Sequence, residues 1–107
     1  MPKEPASPLS GRFSEPALLI MASLAGGPKH GYALMQEIAS EAGVRLGPGT
    51  LYGALSRLED AGYVVACEGD ERRRPYALSA AGRRAFAARM RDLEQFHQSL
   101  RRLTNER

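Results

Sequence analysis

One cysteine, two histidines and no tryptophan are found among the 107 residues of this chain. A single thiol excludes an intramolecular disulfide and suits a reducing compartment, so the cytoplasm is the expected location. Cys67 falls on an expected strand and reads as a small packed residue. His97 and Glu94 have no further ligand nearby, and a metal site needs several converging donors, so no metal or other cofactor is expected. No apolar run approaches the roughly 20 residues that cross a bilayer, so no membrane partner is expected. Prolines and charges occupy the first dozen positions where a secretion signal would be apolar, which argues against export. Serine, histidine and acid never meet at a recognisable catalytic spacing, and no glycine-rich phosphate loop follows a strand. An enzyme is therefore not expected.

What is present describes one modest domain. Hydrophobic residues make up 43% and charged residues 25%, the balance of a globular protein, and the formal net charge of +3 permits a polyanionic partner. Residues 1–13, with Pro2, Pro5 and Pro8, read as a disordered N-terminal arm. A first helix is expected from Ser14, as N-cap, to about Ala25; Leu18, Leu19, Ile20, Met21 and Leu24 leave it almost no polar face, which marks it as central to the core. Gly26-Gly27-Pro28 stops it. A second helix is expected from about Gly31 to Ala42, closed by Gly43, with Leu34, Met35 and Ile38 inward.

The stretch from Gly47 to Ser79 carries the most information. In Pro48–Gly62, Leu51, Leu55 and Leu58 share one face at helical spacing, while Gly49, Gly53, Ser56 and Asp60 lie opposite, flanked by Tyr52 and Arg57. A solvated helix would carry Lys and Glu on that outer face; small and hydrogen-bonding side chains suit a helix that enters a groove. An apolar run, Tyr63–Cys67, a tip ending Arg72-Arg73-Arg74, and a second run, Pro75–Leu78, follow as a hairpin. The fold class is mainly α with a small β-hairpin: a winged helix-turn-helix over residues 14–78, plus one long C-terminal helix within 79–107. Ser79 can cap that last helix, which should reach about Leu103, a length of roughly 35 Å. Phe86, Met90, Leu93, Phe96, Leu100 and Leu103 form a seam along it, and the expected partner is the same helix of a second subunit, a homodimer. Charges of both signs around that helix favour a protein partner over a membrane.

These residues resemble the PadR family of bacterial transcriptional regulators. The resemblance rests on His30-Gly31-Tyr32, Gly49-Thr50-Leu51-Tyr52, Leu55-Ser56-Arg57-Leu58-Glu59, Ala61-Gly62-Tyr63-Val64, Arg72-Arg73-Arg74-Pro75-Tyr76 and Leu78-Ser79-Ala80-Ala81-Gly82, in family order over about residues 16 to 86. The short C-terminal helix is similar to the compact branch, which dimerises through one long helix. The resemblance implies a homodimeric winged-helix repressor, commonly relieved by a small-molecule effector. Family members often have proline after the tyrosine, where this chain has Gly53, and the seam offers only Phe86 and Phe96 as aromatics for a planar ligand.

The expected partner is double-stranded DNA. Gly49, Thr50, Tyr52, Ser56 and Arg57 would face the major groove, with Arg57 able to bond guanine bidentately or to hold a phosphate. Arg72, Arg73 and Arg74 would straddle the backbone or enter a neighbouring minor groove. Lys29, His30 and Tyr32 stand at a helix N-terminus, where backbone N–H groups favour a phosphate, and His30 reads more readily as a capping or packing residue than as a titrating switch. The alternative is a winged-helix protein-interaction module, an anti-regulator that does not bind DNA.

Overall fold

The computed structural model describes residues 14–69 and 74–104. The expected arm, Asp70, Glu71, Arg72, Arg73 and residues 105–107 lie outside the described residues. The elements run α1 (Ser14–Leu24), α2 (Gly31–Ala42), α3 (Pro48–Asp60), β1 (Val64–Ala66), β2 (Tyr76–Leu78) and α4 (Ala80–Thr104).

The core forms where α1 is enclosed by everything else. Ala17, Ile20, Met21 and Leu24 are buried against Leu34 and Ile38 of α2 and Leu51, Ala54, Leu55 and Leu58 of α3. A helix this apolar gains most by burying several sides at once, because apolar area removed from water is its main source of stability. Val64 and Leu78 complete the core from the hairpin, where they face each other across the antiparallel ladder. Val65, one residue along, points to solvent, as the strand period of two requires.

Local chemistry sets the helix ends. Gly43 adopts the left-handed region (φ 69°) and its N–H donates to the Ala39 carbonyl, closing α2. Pro48 opens α3 after Gly47, where its missing N–H removes a donor the helix could not pair. At the other end Gly62 (φ 82°) donates to the Glu59 carbonyl and Tyr63 to the Leu58 carbonyl, the paired bonds of a Schellman ending. This is why α3 stops at Asp60 and not at Gly62, the expected end.

Ser79 caps α4 as expected and also ties it to the rest. Its hydroxyl accepts from the Gly82 N–H at 2.9 Å and donates to the Gly62 carbonyl at 2.6 Å, while its own N–H donates to the Tyr63 carbonyl at 3.0 Å. Gly82 is buried here with its backbone pressed on Tyr63: a β-carbon would stand 2.9 Å from the Tyr63 carbonyl carbon. Beyond this junction Ala85 and Phe86 pack on the core. Past that point α4 runs on with Met90, Leu93, Phe96, Leu100 and Leu103 exposed, Phe96 and Leu103 at 63% and 79%. Phe86, expected on the same seam, is less exposed than these. It is half-buried against its own chain's core.

Candidate nucleic-acid interface

The outer face of α3 is uncovered along its N-terminal half. Gly49, Thr50 and Ser56 are exposed and Tyr52 is 46% exposed, while Leu51, Ala54, Leu55 and Leu58 are buried behind them. Around Gly49 no atom would meet an added β-carbon within 4 Å, and at Gly53 the nearest is the Arg57 guanidinium at 3.6 Å, an ordinary contact. Nothing among the described residues requires glycine at these two positions, so the backbone there is open to a close approach from outside. Arg57 is half-buried, and its guanidinium lies back along α3 beside Gly53.

Tyr52 has a structural role that the spacing of residues does not reveal. Its ring lies over Gly31 at the start of α2, where a β-carbon would stand 2.8 Å from the ring carbon bearing the hydroxyl. Gly31 is thus the flat seat that lets Tyr52 bridge α2 and α3. The contact sets the N-terminus of α2 beside the N-terminal half of α3, so that Gly31's neighbours, His30 and Tyr32, border the same patch. Tyr32 is 67% exposed, and its hydroxyl accepts from the Gln36 side chain at 3.2 Å. His30 occupies the N-cap position of α2 in extended backbone but makes no side-chain cap bond, which corrects its expected capping or packing role; its ring is exposed.

Lys29 is placed differently from the phosphate-binding expectation. Its ammonium turns back into the chain, donating to the Ser23 and Gly27 carbonyls and pairing with Glu37 at 3.5 Å. The Ser23 hydroxyl donates to the same Glu37 carboxylate, and this bond above all holds the Glu37 pKa below the ordinary carboxylate value; Lys29 adds to the effect and partial burial opposes it. The Lys29 backbone meanwhile pairs with Tyr76, donating to its carbonyl at 3.0 Å and accepting from its N–H at 2.8 Å. Lys29 thus forms a third, one-residue rung on the hairpin and anchors the wing to the α1–α2 corner. A basic residue after Gly-Gly-Pro gives no sign of this, because the pairing depends on how the hairpin folds back.

The wing leaves the body beside α3. Tyr76 is half-buried, and its phenol pKa is raised mainly by that burial and then by the nearby charge of Glu59 at the end of α3. Cys67 extends the ladder by donating its N–H to the Pro75 carbonyl at 2.8 Å and is half-buried, in keeping with a packed role. Arg74 is exposed where the second strand begins. Among the described residues no three His, Cys, Asp or Glu side chains come together as a metal site, and no helix is long and apolar enough to cross a membrane. An open groove of about 320 Å³ separates α1 from α2, lined by Leu19, Ala22, Ser23, Ile38 and the carboxylates of Glu37 and Glu41.

Known proteins share the family sequence pattern and the fold. Residues 20–88 match the model of the transcriptional regulator PadR-like family. Over 72 residues the chain is 47% identical to an uncharacterised 37.1 kDa protein in transposon Tn4556 of Streptomyces fradiae; the match covers 67% of this chain and spans about a fifth (21%) of the length of that relative. The fold is similar to a transcriptional regulator from Clostridium thermocellum, with a TM-score of 0.72 at 24% identity, covering 81% of this chain and 87% of that one. It is also similar to a PadR family transcription regulator from Clostridium difficile, with a TM-score of 0.72 at 21% identity, covering 85% and 98%. RosR of H. salinarum matches with a TM-score of 0.63 at 28% identity, covering 79% and 74%.

Proposed function

Since the chain belongs to the PadR-like family of transcriptional regulators, we propose that it acts as a sequence-specific DNA-binding protein, a homodimeric repressor at a pseudo-palindromic operator. The observation that carries this reading is the uncovered face of α3, built from glycines, hydroxyl groups and one tyrosine, with its acidic residues Glu59 and Asp60 confined to the last turn. Such a face can approach base edges without desolvating a charge, and its acids would point away from the phosphates. Thr50, Tyr52 and Ser56 would make the central contacts, with Arg57 swinging out from beside Gly53 to a guanine or a phosphate. His30 and Tyr32 would flank them on the backbone, and Arg72, Arg73 and Arg74 would extend the contact from the wing.

Two copies are proposed because the stripe from Met90 to Leu103 has no cover among the described residues, and a two-fold pair would bury both stripes at once. Paired recognition helices then predict half-sites about 10 base pairs apart, or a multiple of that spacing. Repression follows from occlusion of a promoter by a dimer that needs no catalytic activity of its own. A small-molecule effector would act by changing how the two copies are set.

The test is a gel-shift titration on DNA from upstream of the protein's own gene, at two salt concentrations. An Arg72, Arg73 and Arg74 to Ala variant serves as control. A discrete shift that survives competitor DNA and collapses in the variant supports the operator-binding reading. Absence of binding at low salt refutes it and favours the protein-interaction module.

A further inference from the structure

The apolar stripe of α4 has one charged interruption. Arg89 lies between Phe86 and Leu93, three residues after one and four before the other, so it stands on the face of the stripe and not beside it, near its N-terminal end. Its side chain is half-buried, and its Nε is buried without a hydrogen-bond partner among the described residues. A buried donor left unpaired is costly, and enclosing a guanidinium further in an apolar interface requires a carboxylate to meet it. Asp92 and Glu94 border the stripe on opposite sides, and Asp92 is the one nearer Arg89. At about 100° per residue it lies about 60° around the helix from Arg89, whereas Glu94 lies about 140° away. Asp92 is exposed and forms no ion pair among the described residues.

We propose that Arg89 of each copy pairs with Asp92 of the other, so that two reciprocal ion pairs fix the register of an α4-mediated homodimer. The proposal rests on the dimer reading above and adds to it the residues that choose the alignment. Leucine and phenylalanine side chains at similar spacing tolerate sliding by a turn; a buried charge with one complementary acid does not. Reciprocal pairing follows from two-fold symmetry, because a contact from Arg89 to Asp92 generates its mirror contact automatically. With the two α4 helices antiparallel, it also sets the symmetry axis between Met90 and Arg91. Phe96, Leu100 and Leu103 are then left to cover apolar surface on the second copy.

The experiment mixes two single variants of the full chain, Arg89→Glu and Asp92→Arg, and reads self-association by sedimentation velocity. Each variant alone places like charges opposite each other and should weaken dimerisation about tenfold or more. In an equimolar mixture both cross-pairs are again of opposite charge, so a heterodimer should form with nearly wild-type affinity. An ion pair within one helix cannot produce that rescue, because both variants carry like charges within their own chains. A mixture no more dimeric than its components, or single variants that dimerise like the wild type, overturns the pairing. A wild-type chain that stays monomeric at every concentration overturns the dimer reading itself. If a charge-reversed variant loses helical circular dichroism, Arg89→Gln and Asp92→Asn replace the pair. Each should weaken the dimer, and an unchanged affinity in both refutes the proposal.

Discussion

Replacing Gly82 with alanine should destabilise the protein although it puts a better helix former into α4. In an open helix the change would gain about 1 kcal/mol. Here the new β-carbon would stand 2.9 Å from the Tyr63 carbonyl carbon and closer still to its oxygen. The obstacle is backbone, fixed by the Schellman bond from the Tyr63 N–H and by the Ser79 N–H on its carbonyl, so no flexible side chain can move aside. Relief requires the first turn of α4 to lift, which strains the Ser79 cap on Gly82 and its bond to Gly62. Overpacking of this kind costs roughly 1–3 kcal/mol, and loss of a cap about 1 kcal/mol. After subtracting the propensity gain, the net effect is about 2 kcal/mol of destabilisation. Urea unfolding followed by circular dichroism, at one fixed protein concentration, measures it as a lower midpoint at unchanged slope. A Gly82→Ala protein as stable as the wild type would refute the close approach of α4 to Tyr63 and the role given to Ser79.

Gly53→Ala should behave in the opposite way. With only an ordinary contact at 3.6 Å to accommodate, it should stabilise the fold by up to about 1 kcal/mol, yet weaken DNA binding in a fluorescence anisotropy titration. A variant that binds DNA unchanged would show that the backbone at Gly53 does not approach a ligand. Gly31→Ala should displace the Tyr52 ring, whose far end can move, so DNA affinity should fall more than the unfolding midpoint does; a reversed order would show that Tyr52 serves the core alone. The Glu37 carboxylate titrates below its ordinary value, chiefly through the Ser23 hydroxyl. Its contribution to stability is therefore present above the unfolded pKa and lost as pH falls through the lower folded one. The stability difference between wild type and Glu37→Gln should be full at pH 7 and close under acid, and a difference independent of pH would contradict the Ser23–Glu37–Lys29 cluster.

Most of the scaffold can be read from the residues because its signals are local. Gly43 and Gly62 end helices where a left-handed residue is needed, Pro48 begins one, and Ser79 caps another, so the limits of α2 follow directly and those of α3 within two residues. What escapes a sequence reading depends on contacts between elements. Lys29 looks like a free cation at a helix start, but the fold brings Tyr76 beside its backbone and Glu37 beside its ammonium. Gly31 and Gly82 carry no mark of the Tyr52 ring and Tyr63 backbone that sit on them. Phe86 shares the spacing of the α4 stripe, and only the fold shows it packed on its own core while Met90 and Leu93 stay exposed. Arg89 has the appearance of one more surface charge until its place within the stripe and its unpaired Nε are seen together.

Whether α3 reads the major groove as one of a related pair is decided by methylation interference at guanine N7 on DNA carrying the bound upstream site. Paired reading of this kind gives interference in two patches whose centres lie about one helical turn apart, or a multiple of it, both lost together with Ser56→Ala and Arg57→Ala in one chain. Binding that is indifferent to N7 methylation would contradict it, and so would a single patch unaffected by those substitutions.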